Sequence, residues 1–314
     1  MYSDILAAIQ NIEQIDCLEP YLQSLQPYVR QLRQSYCSST VTVDYSDFNV
    51  QAAYLLAYYP QYAEMTYRCV NSLATTIRAW LTTRSQLQAC FFGGGPAPEV
   101  FAFASHLQHE QQIRSVSLTA RVYDIAAITW AKSRDVTKRL VHEFTPDVRL
   151  ILTGHRVDLC QRDALFSIRA EIQNSQLFVV QNCLNEFAAA PQVFIENMAL
   201  LLDWMPAGSA LVLADLHKYG MVQYLMEQVE ALVQSGTGSS VVRSCSDGSC
   251  FLRSEIELTP LITECLLTGE NGLIPRRKIN YNYLVVQKQL VTRGAKLLEN
   301  RTRKSRIWGQ GSGN

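Results

Sequence analysis

The sequence predicts an α/β protein: a mainly parallel sheet of seven strands, the last running antiparallel, preceded by an α-helical N-terminal region. Three observations lead there. From Gln86 onward short apolar runs alternate with amphipathic stretches, the pattern of a sheet covered by helices on both faces. Before Gln86 the apolar residues recur at helical spacing instead. The last two strands have no long helix between them, only a loop with Gly269, Gly272 and Pro275, so the sheet finishes antiparallel.

Taken in order, Ser3 can cap a helix carrying Ile5, Ile9, Ile12 and Ile15 on one side. Pro20 and Pro27 cut the next stretch into short pieces, and Cys37 to Val43 reads as a β-branched connector. Ser46 or Asp47 can cap a second helix through Ala52, Ala53, Leu55 and Leu56, and Pro60 restarts it. Gln61 to Leu81 continues as a third, with Met65, Val70, Leu73 and Ile77 on its buried side. Strands are predicted near 88–92, 115–123, 148–152, 176–180, 209–213, 250–258 and 280–287. Helices are predicted over 98–106, 128–144 and 219–234, with a loop at 235–240. The domain boundaries that follow are a helical region 1–85, an α/β domain 86–290 and a basic tail 291–314 that ends in a disordered-type Gly-Gln-Gly-Ser-Gly-Asn.

Composition narrows the class. A chain of 314 residues can bury a core, roughly 75% of its unfolded surface by size scaling. Hydrophobic and charged fractions of 48% and 18% suit a folded enzyme rather than a disordered chain. A formal net charge of zero leaves no global drive toward nucleic acid, which could be met only through local basic clusters. Two exist: Arg276, Arg277 and Lys278, and the tail with Arg293, Lys296, Arg301, Arg303, Lys304 and Arg306; a solvated terminal helix is the plainer use of the latter. Nine scattered cysteines fit reduced thiols and a cytoplasmic protein better than a disulfide framework. The closest pair, Cys245 and Cys250, has no second pair or nearby histidine, so no metal site is expected. No signal peptide and no membrane span is expected either.

The most informative segment is Cys90-Phe91-Phe92-Gly93-Gly94-Gly95-Pro96-Ala97-Pro98-Glu99. A buried strand runs into three glycines and then a helix with Pro98 in its first turn. Glycines remove Cβ atoms, so a ligand can lie against the backbone, and a branched side chain at Gly95 would fill that space. The helix N-terminus would offer free N–H groups to it. The next strand ends in Val122-Tyr123-Asp124-Ile125, which places a carboxylate beside the glycine turn, where it can accept both hydroxyls of a ribose. As a strand-end acid facing a crevice, Asp124 would be replaceable at little cost in stability. Pro98 stands where the dinucleotide pattern G-x-G-x-x-G needs a small residue, which disfavours a nicotinamide enzyme.

On these residues the sequence resembles class I S-adenosylmethionine (SAM) methyltransferases, from roughly Gln86 to Gln287. Gly93, Gly94, Gly95 and Glu99 look like the family's first motif, and Asp124 looks like its ribose-binding acid. Asp158 resembles the residue facing the adenine amino group. Phe178-Val179-Val180-Gln181-Asn182 resembles the fourth motif beside the methyl donor. Tyr283-Leu284-Val285-Val286 fits the family's antiparallel seventh strand. The resemblance implies a Rossmann-like fold and SAM as cofactor. The sequence departs from the family in two places. The interval from Gly95 to Asp124 is long, so an insertion around 109–117 must loop out. The fourth motif carries Gln181, Asn182, Asn185 and Glu186 rather than a single acid or Asn-Pro-Pro-aromatic, which leaves the acceptor atom undecided. A fainter similarity links Ala53 to Ala63 to a helix of methyltransferase-like proteins associated with the mitochondrial small ribosomal subunit.

Other residues enter as candidates for the acceptor side. Tyr45 and Phe48, beside a helix start, suit a lid or substrate contact, while Tyr54, Tyr58, Tyr59, Tyr62 and Tyr67 suit packing. His155 and His217 follow strands, and Asp215 could orient His217 as a general base. The function these readings predict is methyl transfer from SAM to an unidentified acceptor, small molecule, RNA or protein. The alternatives are a non-catalytic SAM-binding factor in ribosome assembly or interaction, and a nicotinamide-dependent oxidoreductase.

Overall fold

Strand β1 (Gln86–Phe92) sends Leu87, Ala89 and Phe91 into one apolar cluster and Cys90 and Phe92 into another, and both sets are buried. The same two-sided alternation recurs in β4 (Leu177–Gln181) and β5 (Ala210–Leu216), which explains why these strands read as continuous apolar runs. The computed structural model describes residues 1–37, 43–110, 115–236, 238–245 and 250–289.

With β2 (Val116–Tyr123), β3 (Val148–His155), β6 (Ser239–Ser244), β7 (Cys250–Arg253) and β8 (Lys278–Lys288), the sheet has eight strands among the described residues, seven in the order β3-β2-β1-β4-β5-β8-β6 and β7 beside β8. The pairings among β3, β2, β1, β4 and β5 are parallel, and β8 runs antiparallel to β5, β6 and β7. The α/β class, the mainly parallel sheet and the reversed final strand are as the sequence predicts. The extra strand arises because β6 pairs with residues 284–288 of β8 and β7 with 278–281, end to end along one edge. Ser239 and Ser240 at the start of β6 fall in the predicted loop 235–240, because serines mask a strand held by pairing rather than by propensity.

One face of the sheet is covered by α1 (Tyr2–Glu13), α2 (Leu18–Ser24), α3 (Gln26–Ser35), α4 (Phe48–Ala57), α5 (Tyr59–Asn71), α6 (Ala74–Thr83), α7 (Pro98–Glu110) and α8 (Ala131–Phe144). The other face carries α9 (Arg169–Asn174), α10 (Pro191–Trp204) and α11 (Gly220–Gln234). The N-terminal helices therefore share one continuous core with the sheet. Met1, not Ser3, precedes α1, while Asp47 caps α4 by accepting from the Asn49 N–H at 2.8 Å. Pro20 and Pro27 sit in the first turns of α2 and α3, where a missing N–H is harmless. The stretch 61–81 is two helices, broken at Ser72 and Leu73, with Met65, Val70, Leu73 and Ile77 all buried. α9 and α10 were not anticipated; Pro191 opens α10 at its first turn. The N-terminal helices also grip the far edge of the sheet: Arg33 donates to the Gly272 and Ile274 carbonyls, and Gln26 to that of Cys265. Much of the predicted insertion at 109–117, the connector at 38–42 and the tail lie outside the described residues.

No helix among the described residues is long and apolar enough to cross a membrane. Among those residues no cluster of His, Cys, Asp or Glu is arranged to hold a metal ion.

Candidate functional site

The sheet order reverses direction between β1 and β4, and a cavity of about 560 Å³ opens at the carboxyl ends of those strands and of β2 and β3. That is where open α/β sheets place ligands, and the volume suits a nucleoside-sized molecule. The floor is the glycine turn. Gly93, at φ +67°, has no room for a side chain, since a Cβ there would lie 2.5 Å from the Cys183 sulfur. Gly93 and Gly95 line the cavity, while Gly94 faces inward toward Val122 and Glu99.

Three donors of the turn are engaged within the fold: the Gly93 N–H donates to the Tyr123 carbonyl (2.8 Å), the Gly95 N–H to the Asp124 carboxylate (3.0 Å) and the Ala97 N–H to the Gly94 carbonyl (2.6 Å). The space beside Gly95 is also taken, because a Cβ there would meet the Trp130 ring at 3.1 Å. A substitution at Gly95 would thus displace Trp130 before it reached any ligand.

Asp124 is 9% exposed and bonds two backbone donors, Gly95 N–H through Oδ2 and Ala126 N–H through Oδ1 (2.7 Å). It lines the cavity while lashing the glycine turn to its own loop, so its removal is expected to cost more stability than the sequence alone suggests. A carboxylate has room to accept from further donors on both oxygens. α8 reinforces the arrangement: buried Arg134 donates to the Gly95 and Ala127 carbonyls, and Thr137 donates to that of Pro96. α4 adds buried Gln51, whose amide nitrogen bonds the Tyr45 and Thr129 carbonyls and whose oxygen accepts from Ser133.

Of the remaining sequence candidates, Asp158 and Asn182 stand on the cavity wall with Asp124. Asp158 accepts from the Cys160 N–H and the Gln161 amide. Asn182 sits at φ +57°, and both amide atoms are buried without a partner. A buried amide without a partner, in a residue on a cavity wall, is a candidate ligand contact. Gln181 points the other way, tied to Thr66 and to the Tyr62 carbonyl, so it joins α5 to the sheet and does not reach the cavity. Glu99 is buried beneath the turn, its Oε2 without a partner, and it lines no described cavity. Tyr45 packs on Trp130 with ring centres 4.7 Å apart and hydrogen-bonds Tyr36 (2.6 Å), forming the roof. Phe48 stands outside the cavity lining, with the Lys132 ammonium over its ring. His217 is exposed, bonded to Asn282 on β8 (2.9 Å) rather than to Asp215, and it lines no described cavity. His155 is exposed and bonds Thr153.

The fourth-motif stretch also contains Glu186. It follows Asn182 in a 3-10 turn (Leu184–Ala189) and lines both the cavity and a narrow passage of about 30 Å³ beyond it. Tyr36, Tyr54, Tyr62 and Tyr219 wall that passage, with Asp215 at its base. The Glu186 side chain is open to the cavity yet set deep in the cleft, and loss of solvation, then Asp124 and Asp215, raise its pKa to about 7. Burial likewise raises Asp215 to about 7, against backbone hydrogen bonds from Leu216, Leu184 and Asn185. Burial raises Glu99 to about 8, its own backbone N–H opposing and Asp124 adding.

These three acids keep protons in the folded protein that the unfolded chain releases near its ordinary carboxyl pKa. Their contribution to stability is complete below about pH 4 and is lost as pH rises toward 7 and 8. Glu99→Gln is expected to flatten that fall by up to one proton, about 1.4 kcal/mol per pH unit. Urea midpoints of both proteins from pH 5 to 8 check it; parallel curves would show that Glu99 ionises normally.

No family model matches the chain, and no curated protein matches its sequence. Among solved structures the chain is similar to an O-methyltransferase family protein from Burkholderia thailandensis, at 13% identity over 87% of this chain and 71% of that one, with a TM-score of 0.39. A likeness that distant says nothing of what this chain acts on. The sheet order and the reversed β8 fit the Rossmann-like methyltransferase fold implied by the sequence resemblance. Nothing in these comparisons supports the similarity of Ala53–Ala63 to mitochondrial ribosome-associated proteins; Tyr58 in fact separates α4 from α5 there.

Proposed function

We propose that this chain binds SAM in the cavity at the carboxyl ends of β1 to β4 and transfers its methyl group to an acceptor. The observation that carries the reading is the Asn182 amide, buried without a partner in a residue that lines one cavity with Asp124 and the glycine turn. Around it the donor set fits the cofactor. Asp124 keeps acceptor capacity for ribose hydroxyls beyond its two backbone bonds. Ile125, 58% exposed on the wall, offers an apolar surface to a flat base, and Asp158 stands nearby to accept from an amino group. Asn182 can both donate and accept. SAM, when bound, supplies a methyl group activated by a positive sulfur.

The chain's own work is then alignment and proton removal. Glu186, at the junction of cavity and passage, is placed to take a proton from a hydroxyl or amine acceptor, and a pKa near 7 suits a general base. One observation favours a second reading. The tyrosine-walled passage holds only about 30 Å³, so a protein that binds SAM without methylating anything would present the same wall.

Calorimetric titration of SAM, S-adenosylhomocysteine, NAD and NADP tests the reading. The first two are expected to bind one per chain and raise the melting midpoint, because a ligand of the folded state stabilises it. Binding of NAD alone would transfer the site to a nicotinamide enzyme.

A further inference from the structure

Beyond the passage lies a third space that none of this accounts for, a pocket of about 340 Å³ lined by Arg33, Lys218 and Arg276 together with Tyr58 and Ile274. Tyr36 is a wall of all three spaces, so they run in series along the carboxyl edge of the sheet, from the cofactor cavity past β4 and β5 toward β8. Two of the cations are anchored. Arg33 is fixed by the Gly272 and Ile274 carbonyls, and Lys218 Nζ donates to the Tyr36 carbonyl (2.5 Å). Arg276 bears on the hydroxyls of Tyr58, Tyr62 and Tyr219. Among the described residues none of the three cations pairs with a carboxylate within salt-bridge distance. Asp215 acts on Lys218 only through space and is itself held by the Leu184 and Leu216 N–H groups.

Three cations lining one pocket with no carboxylate partner repel one another, and a bound anion would relieve that repulsion. A monocarboxylate would leave two uncompensated, whereas a phosphate dianion presents several oxygens to the guanidinium forks and the ammonium. The opposite end of the series is acidic, with Glu186 and Asp215 at the passage. We infer that the Arg33–Lys218–Arg276 pocket binds the phosphate of a phosphomonoester, and that this phosphate belongs to the methyl acceptor, whose proton-bearing nucleophile is directed toward Glu186. The second half of this inference rests on the methyltransferase reading; the first does not.

Phenyl phosphate is the probe, titrated into the full chain with and without saturating S-adenosylhomocysteine. It is expected to bind in both cases, and at least about tenfold more tightly than methyl phenyl phosphate (a diester monoanion) or benzoate. Arg276→Gln is expected to weaken it about tenfold and Arg276→Glu further, with S-adenosylhomocysteine affinity unchanged as the check that the fold survives. Unaltered phenyl phosphate binding in both variants, or its displacement by S-adenosylhomocysteine, would overturn the site. Equal binding of the diester would overturn the phosphomonoester assignment. Should S-adenosylhomocysteine fail to bind wild type, circular dichroism replaces it as the fold check. The methyltransferase reading and the acceptor half then fall, while the phosphate pocket is judged by the variants alone.

Discussion

Asp124→Ala is expected to weaken the fold and the cofactor site together. The side chain bonds the Gly95 and Ala126 N–H groups at 3.0 and 2.7 Å, and its carboxylate is nearly buried. Charge-assisted bonds of this kind contribute about 1.5–3 kcal/mol each, and the Gly95 N–H would be left buried without a partner. A loss of about 3 kcal/mol or more follows, read as a lower urea midpoint at unchanged slope. S-adenosylhomocysteine affinity should fall at least about tenfold, through the lost ribose contact and the loosened turn. Asp124→Asn keeps the volume but can turn an acceptor to only one of the two N–H groups, so it should lie between. Unchanged stability would contradict the two backbone bonds, and unchanged affinity would place the nucleoside away from β2.

Glu186→Gln should lower turnover by about 10²–10⁴-fold, the range for removal of a general base, while S-adenosylhomocysteine affinity moves little. The pH dependence carries the sign. Glu186 must be ionised to accept a proton, and its pKa is raised to about 7 by loss of solvation in the cleft, although the side chain is open to the cavity, and then by Asp124 and Asp215. Wild-type turnover should therefore climb as pH rises through about 7 and level off above it, and the variant should lose that limb. The titration is also readable without any acceptor, from the Glu186 side-chain carboxyl carbon shift in an NMR titration. A midpoint near the ordinary carboxylate value would remove Glu186 from the chemistry, as would a variant with full turnover.

The parts of the fold and site that were legible in the sequence are those set by local pattern. Two-sided apolar runs gave the central strands, and the glycine run ending β1 followed by Asp124 at the end of β2 marked the cavity. Illegible were the directions of single side chains and the partners brought by distant segments. Gln181 and Asn182 are adjacent, yet Gln181 ends β4 with its side chain tied to α5, while Asn182, past the strand end at φ +57°, lines the cavity wall. His217 follows a strand as functional residues do, but β8 returns beside it and supplies Asn282. Trp130 had read as part of a helix, and only the packing of Tyr45 against it shows the roof of the cavity. The cations of the third pocket come from α3, the loop after β5 and the loop before β8, far apart in sequence and joined only by the antiparallel finish of the sheet.

A crystal structure of the full chain with S-adenosylhomocysteine would locate the proposed SAM site. One nucleoside is expected in the 560 Å³ cavity, its ribose on Asp124 and the Asn182 amide hydrogen-bonded to it. A nucleoside bound elsewhere, or one in the cavity that leaves both Asn182 atoms without a partner, would contradict it.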